Sequence, residues 1–267
     1  MTSLNRRDFL AGIAAAGALG QLAAARTARA AAGDAAGPVA TSPLTIAMLL
    51  YPGCTANDLI APQLTFATLP GATVHVVWKD MEPVVCDSGI AICPSATLAD
   101  CPRDLDVLFV GGAKQSTWPL MIDDEVVGFL RDRGARAKYV TGVCTGTFLL
   151  GAAGLLRGYR ATSFWPVRHL LSEVGAELAE GRVVVDRNRI TGGGNTAGMD
   201  FGLRLSEILR GSEIAERQQL LFEYEPDPPF AGSPERARPE IVAMVRKLCE
   251  PGVESCARYA KQAAARF

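Results

Sequence analysis

The stretch AKYVTGVCTGTFLLGAAGLL, residues 137–156, decides how this chain folds. Its first half is short, apolar and rich in β-branched residues, which predicts a buried strand. Its second half is rich in Ala, Leu and Gly at helical spacing, so it predicts a helix that Thr145 or Thr147 caps. The segment therefore predicts a strand that turns sharply into a helix.

Cys144 falls at the junction of these two halves, between Gly142 and Gly146. This is the layout of a nucleophile elbow, with sulfur in place of a serine oxygen. The free N–H groups and partial positive charge at a helix N-terminus favour a thiolate. A free cysteine is also commonly a buried core residue, so the spacing alone leaves a catalytic and a structural interpretation open.

The composition excludes several classes of function. The 267 residues carry 27 basic and 28 acidic side chains without a basic stripe, which argues against a nucleic-acid partner. The chain has two histidines, His75 and His169, and its seven cysteines form no CxxC pair. A zinc or thioredoxin-like motif is therefore not predicted, and we expect no metal and no cofactor.

The N-terminal segment has the pattern of an export signal. A twin arginine, Arg6-Arg7, precedes a mildly apolar stretch over residues 11–25, and this order resembles a Tat signal peptide over residues 1–30. The alternatives are a membrane anchor or an amphipathic helix, but the stretch is too short and too rich in Ala to span a bilayer. We expect a flexible linker over residues 31–43 and a periplasmic or extracellular mature protein without stable membrane insertion.

The remaining chain alternates between predicted strands and helices. The predicted strands cover residues 44–51, 73–79, 105–110, 160–164 and 182–191, and the predicted helices cover 57–69, 123–133, 166–171, 197–209, 213–222 and 238–248, with a hairpin insertion over 83–98. This alternation predicts a doubly wound, mostly parallel α/β sheet flanked by helices. Ligands of such sheets bind at the carboxyl ends of the strands. We therefore expect the loops 52–58 and 111–113 to meet the Cys144 elbow there, with residues 192–194 beside them.

Segments along most of the chain resemble the PfpI/ThiJ superfamily, which has the flavodoxin-like, class I glutamine amidotransferase-like fold. The similar segments are Asp58-Leu59, Val74-His75, Ala99-Asp100-Cys101-Pro102, Val143-Cys144-Thr145-Gly146, Arg160-Ala161-Thr162, Thr191-Gly192-Gly193-Gly194, Asp200-Phe201 and Pro228-Pro229-Phe230. Within the superfamily the similarity is closest to the isonitrile hydratases. The resemblance covers residues 44–235 and leaves 236–267 as a C-terminal helical extension.

The resemblance implies a homodimeric enzyme that adds water to a small isonitrile and yields an N-substituted formamide, and the N-terminal signal adds that it is exported. It implies Cys144 as the nucleophile, Asp58 as the acid/base carboxylate, and Thr145 as the residue that orients water or substrate. A carboxyl beside a thiolate gains proton affinity, so we expect Asp58 to hold a proton near neutral pH. The N–H groups of Gly112 and Thr145 are candidates for stabilising developing charge.

One residue differs from the superfamily pattern and restricts the reactions that this protein is expected to catalyse. Many members carry a histidine shortly after the nucleophile, where this chain has Phe164. No Cys-His dyad is available from that position, which argues against peptidase or amidase chemistry. Phe164 and Trp165, together with Trp118, are candidates for an apolar pocket lining, although each is equally compatible with ordinary core packing.

Two other functions remain open. The first is a glyoxalase or deglycase-type carbonyl enzyme of the same superfamily, and the second is a non-enzymatic thiol protein that senses redox stress or binds a ligand. In an oxidising compartment, Cys249 and Cys256 on either side of Pro251-Gly252 are candidates for a disulfide. The remaining cysteines are expected to be buried or incidental: Cys54, Cys86, Cys93 and Cys101.

Overall fold

The computed structural model describes residues 42–266. The predicted signal peptide and residues 31–41 of the predicted linker lie outside this part of the chain. The strands are β1 (Leu44–Leu49), β2 (Ala72–Trp78), β3 (Val84–Val85), β4 (Ala91–Ile92), β5 (Ala96–Thr97), β6 (Val107–Val110), β7 (Tyr139–Val143), β8 (Arg160–Ala161), β9 (Glu177–Leu178), β10 (Val183–Asp186) and β11 (Arg189–Gly192). The helices are α1 (Ala56–Ala67), α2 (Thr117–Leu120), α3 (Asp124–Arg136), α4 (Gly146–Ala152), α5 (Ala197–Arg210), α6 (Ser212–Leu221) and α7 (Pro239–Ala264), with a 3₁₀ helix over Arg168–Val174.

Seven strands form the central sheet, in the order β10-β11-β7-β6-β1-β2-β5. All neighbours in it are parallel except β10 and β11, which form an antiparallel hairpin at one edge. Residues 46–49 of β1 and all of β6 are fully buried, as expected for strands covered on both faces. The predicted doubly wound, mostly parallel sheet is confirmed.

The helices pack in two groups. Helix α1 packs on α5, which packs on α6, while α7 contacts α2, α4 and the 3₁₀ helix. Phe109 of β6 packs against Phe66 of α1 and Phe201 of α5, whereas Trp118 of α2 packs edge-on against Phe148 of α4. The winding reverses between β1 and β6, and a doubly wound sheet opens its ligand crevice at that point.

Several predicted boundaries differ from the structure. The strand predicted over 160–164 is only the two-residue β8, and the helix predicted over 166–171 is the 3₁₀ helix, which ends where Gly175 adopts a left-handed φ of 81°. The insertion at 83–98 contains the β3–β4 hairpin, but β5 leaves it and pairs in parallel with β2.

Helix α7 continues well beyond the predicted end at residue 248. Pro251 removes one N–H donor, which usually ends a helix. The helix continues because its inner face is anchored beyond the proline by three buried residues, Cys256, Ala260 and Ala263. None of the helices among residues 42–266 is both long and apolar enough to cross a membrane.

The candidate disulfide between Cys249 and Cys256 is not formed. Both thiols are free and both lie on α7. Seven residues of α-helix separate the two Cα atoms by about 10 Å along the axis, more than the roughly 7 Å that a disulfide allows.

Candidate active site

Three loops meet at the carboxyl ends of β1, β6 and β7. The N–H of Thr55 donates to the carbonyl of Gly112 at 2.8 Å, and the N–H of Gly112 donates to Asp58 Oδ2 at 3.1 Å. The N–H of Ala113 donates to Thr145 Oγ1 at 2.9 Å. The expected convergence of the first two loops on the elbow is therefore present in the structure.

Cys144 lies where these three loops meet, and its backbone conformation is strained. Its φ of 55° is in the left-handed region, which is uncommon for a residue with a side chain. The Cys144 N–H lies 3.1 Å and 2.9 Å from the carbonyls of Gly192 and Gly193, and its carbonyl accepts from Ser163 Oγ at 2.6 Å. These bonds hold the elbow and bring the glycine-rich turn to the site.

Two glycines are required by the tight contact of the loops. A Cβ on Gly112 would lie 2.6 Å from the Thr145 nitrogen and 2.8 Å from the Cys144 Cβ. A Cβ on Gly146 would lie 2.4 Å from the carbonyl oxygen of Val110. A side chain at either position would push the elbow away from β6.

Asp58 is fully buried in the first turn of α1. Burial raises the pKa of its carboxyl to about 6, although interactions with the Cys144 thiol and with the N–H groups of Gly112 and Asn195 favour the ionised form. Its second oxygen, Oδ1, is buried without a hydrogen-bond partner among the described residues. Of the two carboxyl oxygens, Oδ2 thus has the hydrogen bond from Gly112, and Oδ1 is buried without one in the described part of the chain.

The Cys144 thiol is protonated in the resting site. Burial raises its pKa well above the ordinary cysteine value, and the negative charge of Asp58 raises it further, outweighing the N–H groups of Thr145 and Asn195. The helix N-terminus does favour the thiolate through the Thr145 N–H, but burial and Asp58 outweigh it. Asp58 was expected to hold a proton near neutral pH; with a pKa of about 6 it is mostly ionised there, and its proton affinity is raised as expected.

Thr145 has a role in the structure that differs from the predicted cap. Its hydroxyl donates to the Ala113 carbonyl at 2.7 Å, accepts from the Ala113 N–H and lies 2.8 Å from Thr117 Oγ1. Neither Thr145 nor Thr147 caps α4, because the first hydroxyl is used in this network and the second is buried without a partner in the described structure. The network ties the 111–113 loop to the elbow.

The two N–H groups expected to stabilise charge have different surroundings. The N–H of Gly112 already donates to Asp58, so it is not free to bind an oxyanion. The N–H of Thr145 interacts with the Cys144 sulfur, as does the N–H of Asn195. The Thr145 N–H thus acts on the sulfur, the Gly112 N–H acts on the carboxyl, and the Asn195 N–H acts on both groups.

A cavity of about 530 Å³ opens above Cys144, which is 8% exposed. Phe164 lines it, whereas Trp165 does not and packs its ring against Arg246 at 5.2 Å. The other lining residues are Thr55, Asp87, Ala113, Lys114, Gln115, Trp118, Thr145, Val167, Asn195, Val245, Leu248, Cys249 and Gly252. One wall thus comes from α7, which the sequence suggested was only an extension.

The sequence did not indicate Asp87, Asn195 or the α7 residues as part of the site. A glycine run before Asn195 was the one available signal, and it was equally typical of a plain strand-to-helix turn. His75 and His169 do not line the cavity. Among residues 42–266, no three His, Cys, Asp or Glu side chains are grouped so that they could hold a metal ion.

Asp87 acts on Asp58 from the β3–β4 hairpin. Its carboxylate accepts from the Thr55 hydroxyl and the Ala56 N–H, both at 3.2 Å, and pairs with Lys114 at 3.5 Å. Its negative charge raises the pKa of Asp58. Asp87 therefore helps to keep the proton affinity of the reactive carboxyl high.

We expect Asp87→Asn to shift the acidic limb of the activity profile to lower pH. The amide keeps the shape but removes the charge, so the pKa of Asp58 falls below about 6, while burial, the main cause of the raised pKa, remains. The measurement is kcat/KM between pH 4 and 8. The exposed Asp80→Asn is the matched control, and an unmoved limb in Asp87→Asn would contradict the prediction.

A doubly wound sheet with a cysteine at a nucleophile elbow and a carboxyl beside it defines a class of thiol-dependent α/β proteins. Residues 44–208 match the DJ-1/PfpI family, and the chain belongs to this family. It is 44% identical to an isonitrile hydratase of Pseudomonas putida over 225 residues, which cover 84% of this chain and 98% of that protein.

Two further comparisons agree with this assignment. The crystal structure of a ThiJ/PfpI family protein from Pseudomonas syringae superposes with a TM-score of 0.83 at 46% identity, covering 87% of this chain and 97% of that one. A glutathione-independent glyoxalase, DJR-1.2 of Caenorhabditis elegans, is 26% identical over 54% of this chain and 76% of its own length.

Proposed function

We propose that this protein is an enzyme of the hydro-lyase type that hydrates an isonitrile to an N-substituted formamide. The observation that carries the proposal is the buried pair of the Cys144 thiol and the Asp58 carboxyl beneath an apolar cavity. The 44% identity to an isonitrile hydratase over most of the chain supports the same chemistry.

The first step uses the proton that the resting site already holds. Asp58 takes the thiol proton as the Cys144 sulfur attacks the terminal carbon of the isonitrile, and the carbon becomes carbanion-like. Asp58 then gives that proton to the same carbon, which leaves a thioimidate on Cys144. A carboxyl with a pKa of about 6 is suited to both transfers near neutral pH.

The second step releases the product and restores the thiol. Asp58 takes a proton from water as the water oxygen adds to the thioimidate carbon. Asp58 passes this proton to the nitrogen. The carbon–sulfur bond then breaks as the carbonyl forms, Asp58 relays the proton of the added hydroxyl to the sulfur, and the formamide departs. One water is consumed in total, and no electrons are exchanged with another reagent.

Thr145 and Gly112 position these groups. The Thr145 hydroxyl bonds both the N–H and the carbonyl of Ala113 and also contacts the Thr117 hydroxyl, so it fixes the loop that carries Gly112. The Gly112 N–H in turn holds Asp58 Oδ2, which leaves Oδ1 for proton transfer. Phe164 contributes to the wall against which the substituent of the isonitrile packs.

The remaining alternatives have weaker support. Phe164 leaves no histidine base for a Cys-His mechanism, and the similarity to the glyoxalase is 26% over about half of the chain. A peroxide-sensing thiol needs a low pKa, whereas burial and Asp58 raise that of Cys144.

Product analysis tests the proposed function. The purified protein is mixed with a simple alkyl isonitrile and, separately, with a dicarbonyl, and the products are followed by NMR. We expect the formyl proton of an N-alkyl formamide from the first mixture, absent with Cys144→Ala. If the dicarbonyl yields a hydroxy acid and the isonitrile yields no formamide, the protein catalyses the glyoxalase reaction and the proposed hydration is wrong.

The wall formed by α7 predicts a selectivity effect. Val245 lines the cavity and is half-buried, so Val245→Phe fills part of the space for the substituent. We expect KM to rise about 10-fold or more for a bulky branched isonitrile and to change little for a small one. The neighbouring Met244→Phe, which is exposed and outside the cavity, is the control. Equal KM changes for both substrates would contradict this role of α7.

We also propose export, from the N-terminal sequence pattern, and a homodimeric state, from the resemblance to the family. The twin arginine and the following Ala-rich stretch support a Tat signal over residues 1–30. Cell fractionation and light scattering on the mature protein test the two proposals.

A further inference from the structure

Cys54 and Cys86 lie side by side in the protein interior, each one residue before a residue that lines the cavity. Their sulfur atoms are 3.4 Å apart, and the two residues are only 3% and 4% exposed. Cys54 follows β1, whereas Cys86 belongs to the β3–β4 hairpin 32 residues later. We propose that these two thiols form a redox-active pair whose disulfide fastens the hairpin to the active-site loop.

The backbone around the pair already has the arrangement that a cross-link needs. The N–H of Gly53 donates to the Val85 carbonyl at 2.8 Å, and the N–H of Asp87 donates to the Cys54 carbonyl at 2.9 Å. These two bonds hold the segments side by side on either side of the sulfurs. Bond formation at about 2.05 Å brings the sulfurs closer by only about 1.4 Å, which is within reach of side-chain rotation and a small backbone adjustment.

The neighbours of the pair belong to the substrate cavity. Thr55 follows Cys54, Asp87 follows Cys86, and both residues line the cavity. The Thr55 hydroxyl donates to Asp87 Oδ2 at 3.2 Å, so the two segments also meet in front of the sulfurs. A disulfide behind this contact keeps Asp87 next to Thr55 even when the short hairpin opens.

The chemistry needs a disulfide oxidant such as oxidised glutathione. The Cys86 sulfur loses its proton and attacks one sulfur of the oxidant, whose S–S bond breaks and releases one glutathione thiol. The Cys54 sulfur then loses its proton, attacks the Cys86 sulfur and displaces the second glutathione thiol. The protein loses two electrons and two protons, and both are accounted for by the two glutathione thiols produced.

The other five cysteines are poor partners for this pair, and one of them, Cys256, is buried on the inner face of α7. Cys93 is exposed, and the Cys101 thiol donates to the Pro102 carbonyl. Cys144 and Cys249 instead share the interior of the cavity. The contact of Cys54 with Cys86 therefore predicts one specific linkage, which peptide mapping can identify.

The test compares an oxidised sample of the protein with a reduced one. Native full-length protein is incubated with oxidised or reduced glutathione, and a second sample is refolded from denaturant in the same buffers. Each sample is quenched with acid, alkylated and digested, and the masses of the peptides are measured. We expect a Cys54–Cys86 linked peptide in the oxidised sample, and a thermal midpoint about 5–10 °C above that of the reduced sample.

Variants separate this pair from the other thiols. Cys93→Ala should keep both the linked peptide and the thermal shift, whereas Cys86→Ala and Cys54→Ser should lose both. The proposal is overturned if oxidised samples of folded wild type contain both thiols alkylated, or if either cysteine is linked to a different residue. Because this result is read from masses and stability, it is independent of the isonitrile assay.

Discussion

Replacing Cys144 by serine is expected to lower the rate of isonitrile hydration by about 1000-fold or more. Serine preserves the shape, but its hydroxyl binds its proton far more tightly than a thiol. Asp58, with a pKa of about 6, cannot remove that proton effectively. The alkoxide is also a poorer leaving group than the thiolate in the second step. Initial rates of formamide production measure the effect.

The control is a second thiol in the same cavity. Cys249 lies on α7 and lines the cavity from the opposite wall to the elbow loops, so Cys249→Ser changes one sulfur without altering the elbow. We expect this variant to keep most of its activity. Comparable losses in the two variants would show that the cavity, and not the Cys144 sulfur, limits the reaction.

Asp58→Asn is expected to lower kcat by about 100- to 10,000-fold with little change in KM. The amide oxygen still accepts the Gly112 N–H that holds Asp58 Oδ2, so the local geometry is kept. The amide cannot take the thiol proton or return it to carbon. Steady-state kinetics on an alkyl isonitrile measure the change, and a large rise in KM at constant kcat would assign Asp58 to binding alone.

The same substitution is expected to change how stability depends on pH. The folded-state pKa of Asp58 is raised to about 6 because the carboxyl is buried, and the unfolded value is about 3.9. Folded Asp58 thus holds its proton to higher pH than unfolded Asp58, so its favourable contribution is complete below pH 4 and is lost as pH rises toward 6. The shift corresponds to about 3 kcal/mol.

Urea unfolding at several pH values measures this contribution. Between pH 4 and 7 the free energy of unfolding of wild type should fall relative to that of Asp58→Asn, whose amide does not titrate. Parallel curves for the two proteins would mean that Asp58 has the same pKa in the folded and unfolded states.

The sequence was sufficient for the elbow because its signals are local. A β-branched strand, a cysteine between glycines and a helical run follow each other within residues 137–156, and the structure has β7, Cys144 and α4 there. The hydrogen bonds of the Thr145 hydroxyl were not predictable from this segment. They depend on Ala113 and Thr117, which come from another part of the chain.

Long-range packing explains most of what the sequence left undetermined. The position of Asp87 depends on how the β3–β4 hairpin docks on the loop after β1, and nothing in residues 83–98 specifies that docking alone. The protonation states of Cys144 and Asp58 also depend on long-range packing. The helix N-terminus next to Cys144 was predictable from the sequence. The burial of Cys144 and Asp58, which raises the pKa of both groups, is evident only in the structure.

Helix α7 lies beyond the matched family segment of residues 44–208, yet it forms one side of the substrate chamber. Part of the wall around the reactive sulfur is therefore encoded after the family segment, although Trp118 and Phe164 of that segment line the same cavity. A substitution in α7 can consequently reshape the cavity while Cys144 and Asp58 stay unchanged.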